Sequence, residues 1–143
     1  MMLIPSILLV EDDEIDAEMI RRAFRQHKLA NPLIHVTDGR SALELLRGKP
    51  GVDPLPKPYM ILLDMNMPGM NGQEFLRELR QDPKLTHSLV FVLTTSINPH
   101  DKLFACKKQI AGYILKQNVG QYFGSAFHLL DNYQRPVVPS EQS

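Results

Sequence analysis

Five short apolar runs, each followed by a stretch with a different rhythm, constrain this chain more than any other feature. The runs are "SILLV" at 6–10, "PLIHV" at 32–36, "YMILL" at 59–63, "LVFVLTTS" at 89–96 and "GYILK" at 112–116. Short runs that are apolar nearly throughout are the mark of strands covered on both faces. The segment after the first run carries Ile15, Met19, Ile20, Ala23 and Phe24 at helical spacing. Acids crowd its first turn, where the helix dipole favours them, and Asp13 and Glu14 read as capping and first-turn residues. "RSALELLRG" is a second helix and a third begins near Gln73. "NPHDKLFACKKQ" is a fourth, with Pro99 at its start, where proline is tolerated. Val119, Tyr122, Phe123, Ala126, Phe127, Leu130 and Tyr133 mark one face of a fifth. "GKPGVDPLPKP" has four prolines and two glycines and reads as an exposed loop.

The order is β-α repeated five times, which implies a parallel sheet with helices on both faces. At 143 residues the chain makes one domain with a real core. Sixteen basic residues balance sixteen acidic ones, so nothing favours a nucleic-acid surface. One cysteine, Cys106, excludes an internal disulfide and points to a cytoplasmic location. The first residues make a poor signal peptide. No apolar run approaches the roughly 18–20 residues that span a bilayer. The five histidines are scattered without metal spacing.

In a sheet of this kind ligands bind at the carboxyl ends of the strands. Glu11, Asp12 and Asp13 follow the first run, Asp64 the third and Lys116 the fifth; Thr94, Thr95 and Ser96 close the fourth. Carboxylates brought together repel, and a hard cation relieves that. Mg2+ suits oxygen ligands of this type. A lysine and a hydroxyl close by suit an incoming phosphoryl group.

"ILLVEDD", "ILLDMNMPGMNG", "VLTTS" and "GYILK" together resemble the four sequence blocks of bacterial two-component response-regulator receiver domains. The likeness runs from Ile7 to about Leu130. It implies a (βα)5 flavodoxin-like receiver fold, α/β in class, with a five-stranded parallel sheet of order 2-1-3-4-5. It implies a phospho-switch in phosphorelay signalling, not a turnover enzyme. Asp64 is then the acceptor of a phosphoryl group from a histidine kinase. Asp12 and Asp64 bind Mg2+ directly, Glu11 acts through water, and the Asn66 backbone carbonyl completes the protein ligands. Thr94 bonds a phosphoryl oxygen, Lys116 ion-pairs with it, and Tyr113 is the aromatic that moves with the threonine. Implied partners are a sensor histidine kinase and a histidine phosphotransfer protein; no nucleic acid or membrane is expected.

Gln117 stands where the family usually has a proline joined through a cis bond. A non-proline cis bond costs about 2.5–4 kcal/mol, so a trans bond and a differently shaped loop are expected there. With the long loop at 48–58 and the "VLTTS" block, this resembles the small single-domain receivers that partner bacterial phytochrome kinases. The receiver is expected over 1–133, with 134–143 an extended tail. Pro136, Val137, Val138 and Pro139 would stiffen that tail into an arm for a homodimer. Three other readings are weaker. A haloacid-dehalogenase-type phosphatase needs a second Asp where this chain has Asn66. A receiver without phosphoryl chemistry would not keep every key residue. A flavodoxin-like electron carrier would have a hydroxyl- and glycine-rich loop after the first strand, not acids.

Overall fold

The computed structural model describes residues 4–51, 53–65, 67, 69–95 and 110–121. The elements run β1 (Ser6–Val10), α1 (Glu14–Gln26), β2 (Leu33–Val36), α2 (Gly39–Arg47), β3 (Tyr59–Asp64), α3 (Gly72–Gln81), β4 (Leu89–Thr94) and β5 (Gly112–Leu115), with a 3-10 turn at Lys116–Asn118. All strand pairs are parallel and the sheet order is β2-β1-β3-β4-β5. The expected α/β class and 2-1-3-4-5 order are therefore what the chain adopts. The fourth helix, most of the fifth and the tail from 134 lie outside the described residues. No helix among the described residues is long and apolar enough to cross a membrane.

Strand alternation divides the core into two layers. Ile7, Leu9, Met60, Leu62, Phe91, Leu93 and Ile114 face one side, where Ala17, Ile20 and Phe24 of α1 and Val119 cover them. Leu8, Val10, Ile61, Leu63 and Val90 face the other, beneath Ala42, Leu43 and Leu46 of α2 and Phe75, Leu76 and Leu79 of α3. The sheet therefore sends consecutive residues into opposite layers. That is why its strands are apolar nearly throughout.

Helix α1 forms where the spacing predicts it, and its packing shows what the spacing left open. Its buried residues are Ala17, Ile20 and Phe24. Ile15 is 80% exposed and Met19 36% exposed. Ile15, Met19 and Ala23 form an i, i+4 row centred about 130° around the helix from the buried row. The five apolar positions thus span two rows, and only one faces the sheet squarely. Other differences are of one residue or so: β2 begins at Leu33, β3 includes Asp64, α3 begins at Gly72, β4 stops at Thr94, and Lys116 lies just past β5. The loop at 48–58 is anchored by Leu55, which is buried against α2 and donates its N–H to the Leu45 carbonyl at 3.2 Å.

Candidate functional site

The register sets the site. Val10 pairs with Leu63, so Glu11 leaves β1 beside Asp64, the last residue of β3. Asp64 itself pairs with Leu93, one residue before Thr94. Asp13 then starts α1, its carboxylate accepting from the N–H groups of Ile15 at 2.8 Å and Asp16 at 3.3 Å. It is the capping residue its position suggested.

Glu11, Asp12 and Asp64 each place a carboxylate oxygen within 4.8 Å of the others. Glu11 is 0% exposed and Asp64 is buried, whereas Asp12 is exposed and open to solvent. Burial, with Asp64 beside it, pushes the Glu11 carboxyl up to about 7. Lys116 lies buried in the same cluster, its Nζ 2.7 Å from Asp16 Oδ2, 2.9 Å from Glu11 Oε1 and 3.8 Å from Asp64 Oδ2. The Glu11 contact is an ion pair without hydrogen-bond alignment, whereas Lys116 donates a hydrogen bond to Asp16. Burial pulls the Lys116 ammonium down, but Asp16, Glu11 and Asp64 outweigh it and hold its pKa above the usual lysine range.

The donor set fits a hard divalent cation: three carboxylates, one of them open to water, from two adjacent strand ends. Burial above all, with Asp64 beside it, favours the protonated form of Glu11.

Of the residues singled out in the sequence, Glu11, Asp12, Asp64 and Lys116 meet at one edge. Thr94 ends β4 at that same edge, on the opposite pleat face from Leu93 and hence from Asp64. Tyr113 pairs with Val92 on the Thr94 face. Asn66 lies outside the described residues. Lys116–Asn118 forms a 3-10 turn, and the only cis peptide bond among the described residues is Lys57–Pro58. The bond after Lys116 is therefore trans, as expected with Gln117 there, and the lysine still reaches the acids.

The loop after Asp64 is tightly built. Gly69 has φ 73°, in the left-handed region that glycine enters freely. A Cβ on Gly72 would fall 2.6 Å from Met65 Cα and 3.2 Å from the Asp64 carbonyl oxygen. Asn71 caps α3 in a reciprocal box with Glu74. The chain can therefore return directly behind the acid.

Two elements of the site went unread in the sequence. Asp16 was one of several first-turn acids, and nothing in its spacing ties it to a lysine 100 positions away. His35 Nε2 lies 2.7 Å from the Glu11 carbonyl oxygen, and its Nδ1 lies 3.0 Å from an Arg21 guanidinium nitrogen. Arginine only donates, so Nδ1 accepts and Nε2 carries the hydrogen given to Glu11. No motif marks that pair.

The family model for the response regulator receiver domain matches residues 7–122. The chain is 34% identical over 110 residues to Response regulator Rcp1 of Synechocystis sp., covering 77% of this chain and 75% of Rcp1. A solved structure of Rcp1 in its Mn2+-bound form is similar at TM-score 0.71 and 30% identity, covering 94% of this chain and 97% of that one. A two-component response regulator from Legionella pneumophila is similar at TM-score 0.79 and 35% identity, covering 90% of this chain and 98% of that one. The bacteriophytochrome response regulator RtBRR is similar at TM-score 0.78 and 31% identity, covering 96% of this chain and 83% of that one. Phytochrome response regulators are among the proteins it resembles, and the chain thus belongs to the response regulator receiver domain family.

Proposed function

We propose that Asp64 is the phosphoacceptor of this receiver and that the chain acts as a phospho-switch loaded by a histidine kinase. One observation carries the reading: carboxylate oxygens of Glu11, Asp12 and Asp64 lie within 4.8 Å of one another, with the Lys116 ammonium 3.8 Å from Asp64. The strand end holds Asp64 in place, which suits a reaction that consists mostly of positioning and charge neutralisation. Asp12 and Asp64 would hold Mg2+ directly and Glu11 through water, and the Asn66 carbonyl would complete the protein set. When bound, the cation supplies positive charge against the phosphoryl oxygens. Lys116 faces the phosphoryl group from the turn after β5, Thr94 hydrogen-bonds one of its oxygens, and Tyr113 follows the threonine. The Mn2+-bound form of Rcp1 supports a divalent ion at such a site.

The chain's chemistry is self-catalysed acceptance and slow self-hydrolysis, without turnover of an independent substrate. Its likeness to Rcp1 and RtBRR supports a phytochrome-type kinase as the phosphoryl source. A histidine phosphotransfer protein is the proposed next partner. The receiver unit is 1–133, in the cytoplasm, and 134–143 is an arm that assists a homodimer.

Incubation with Mg2+ and a small acyl-phosphate donor should give a labile phosphoryl adduct by intact mass. Asp64→Asn should give none. A wild-type protein that stays unmodified by both the donor and a cognate kinase overturns the reading.

A further inference from the structure

Among the described residues Lys116 has three carboxylate neighbours, and the proposed phosphoacceptor is the most distant of them. Its Nζ donates to Asp16 Oδ2 at 2.7 Å and stands 2.9 Å from Glu11 Oε1. Asp64 Oδ2, at 3.8 Å, is beyond hydrogen-bond distance. The two nearer partners differ in access to water: the Glu11 side chain is 0% exposed and the Asp16 side chain 29% exposed. A carboxylate left buried without its cation loses solvation it cannot recover, whereas one that water reaches recovers most of it. Asp16 also sits in the first turn of α1, where the helix N-terminus favours its charge with or without the lysine. Asp16 is therefore the partner that Lys116 can leave most easily.

Building on Asp64 as phosphoacceptor, we propose that Asp16 is a positioning residue for Lys116. It competes with the phosphoryl group for the ammonium and so sets how tightly the phosphorylated state is held. A phosphoryl group adds roughly −1.5 to −2 charge at Asp64. That is enough to draw the ammonium across from a partly exposed carboxylate. Separating Lys116 from Asp16 subtracts from what the lysine gives to the phosphoryl oxygens. Resting and charged states are thereby brought closer in free energy than a lysine with no second anchor would leave them.

The test uses beryllofluoride as the phosphoryl mimic, titrated calorimetrically into the full chain at saturating Mg2+. Each variant's own Mg2+ affinity is measured first. Asp16→Asn should bind the mimic about two- to fivefold more tightly than wild type. Asp16→Glu, which keeps a carboxylate, should return towards the wild-type value. In a Lys116→Met background, Asp16→Asn should change nothing, because the effect runs through the lysine. The two Asp16 variants decide the matter if Lys116→Met does not fold. Unchanged or weaker binding by Asp16→Asn, or an equal gain without Lys116, overturns the proposal. Wild-type protein that does not bind the mimic, or binds it as well with Asp64→Asn, overturns the phosphoacceptor reading and this inference with it. Binding that depends on Asp64 but not on Asp16 overturns this inference alone.

Discussion

Glu11 shows how much a single residue's meaning depends on its surroundings. In the sequence it is one acid of "EDD"; in the fold it is fully buried, and burial with Asp64 beside it pushes its carboxyl up from 4.5 to about 7. The consequence for stability has a definite sign. Between about pH 4.5 and 7 the folded, metal-free protein holds a proton that the unfolded chain has released. Its stability therefore falls as pH rises through that window, by up to about 1.4 kcal/mol per pH unit, and levels off above it. Glu11→Gln removes the titrating group and should flatten the slope. Thermal unfolding in a chelator at pH 5.5 and 7.5 checks this: equal falls in Tm for wild type and Glu11→Gln would refute it. That Asp64 belongs to the site was legible because it ends an apolar strand. Asp16 and His35 were not, because what they touch is set by elements distant in the chain.

At the scale of the element, α1 separates what periodicity can and cannot say. Five apolar positions at helical spacing predict a helix, and a helix spans Glu14–Gln26. They do not say which row meets the sheet, because two adjacent rows both carry large side chains. Burial decides it: Ile20 is inside, and Ile15 is 80% exposed. Ile15→Ser should therefore change stability by no more than about 0.5 kcal/mol, and Ile20→Ala should cost about 2–5 kcal/mol. Chemical denaturation of the two variants compares them directly. A large loss from Ile15→Ser would place that row in a packed core. In the segment after β3, Gly69 and Gly72 sit where a positive φ and a close backbone approach demand glycine.

For the whole molecule, the site exists only when the fold does, because β1 and β3 contribute its carboxylates and the turn after β5 its lysine. A cation bound by the proposed ligands therefore stabilises the folded state alone, by about 2.7 kcal/mol at a hundred times its Kd. Mg2+ or Mn2+ should raise Tm by about 6–12 °C at that excess, and by much less in Asp64→Asn. A scan with and without metal measures it, and an equal rise in both proteins would mean the ion binds elsewhere. Among the described residues, the strand and helix order, the parallel class and the strand ends that carry the acids and the lysine were determined by the sequence alone. They follow from local apolar period and from residues standing next to it in the chain. Tertiary structure decided the rest: which row of α1 is buried, that Lys116 turns first to Asp16, and that His35 supports the Glu11 carbonyl. These depend on distances between segments far apart in sequence, which only the register and twist of the assembled sheet set.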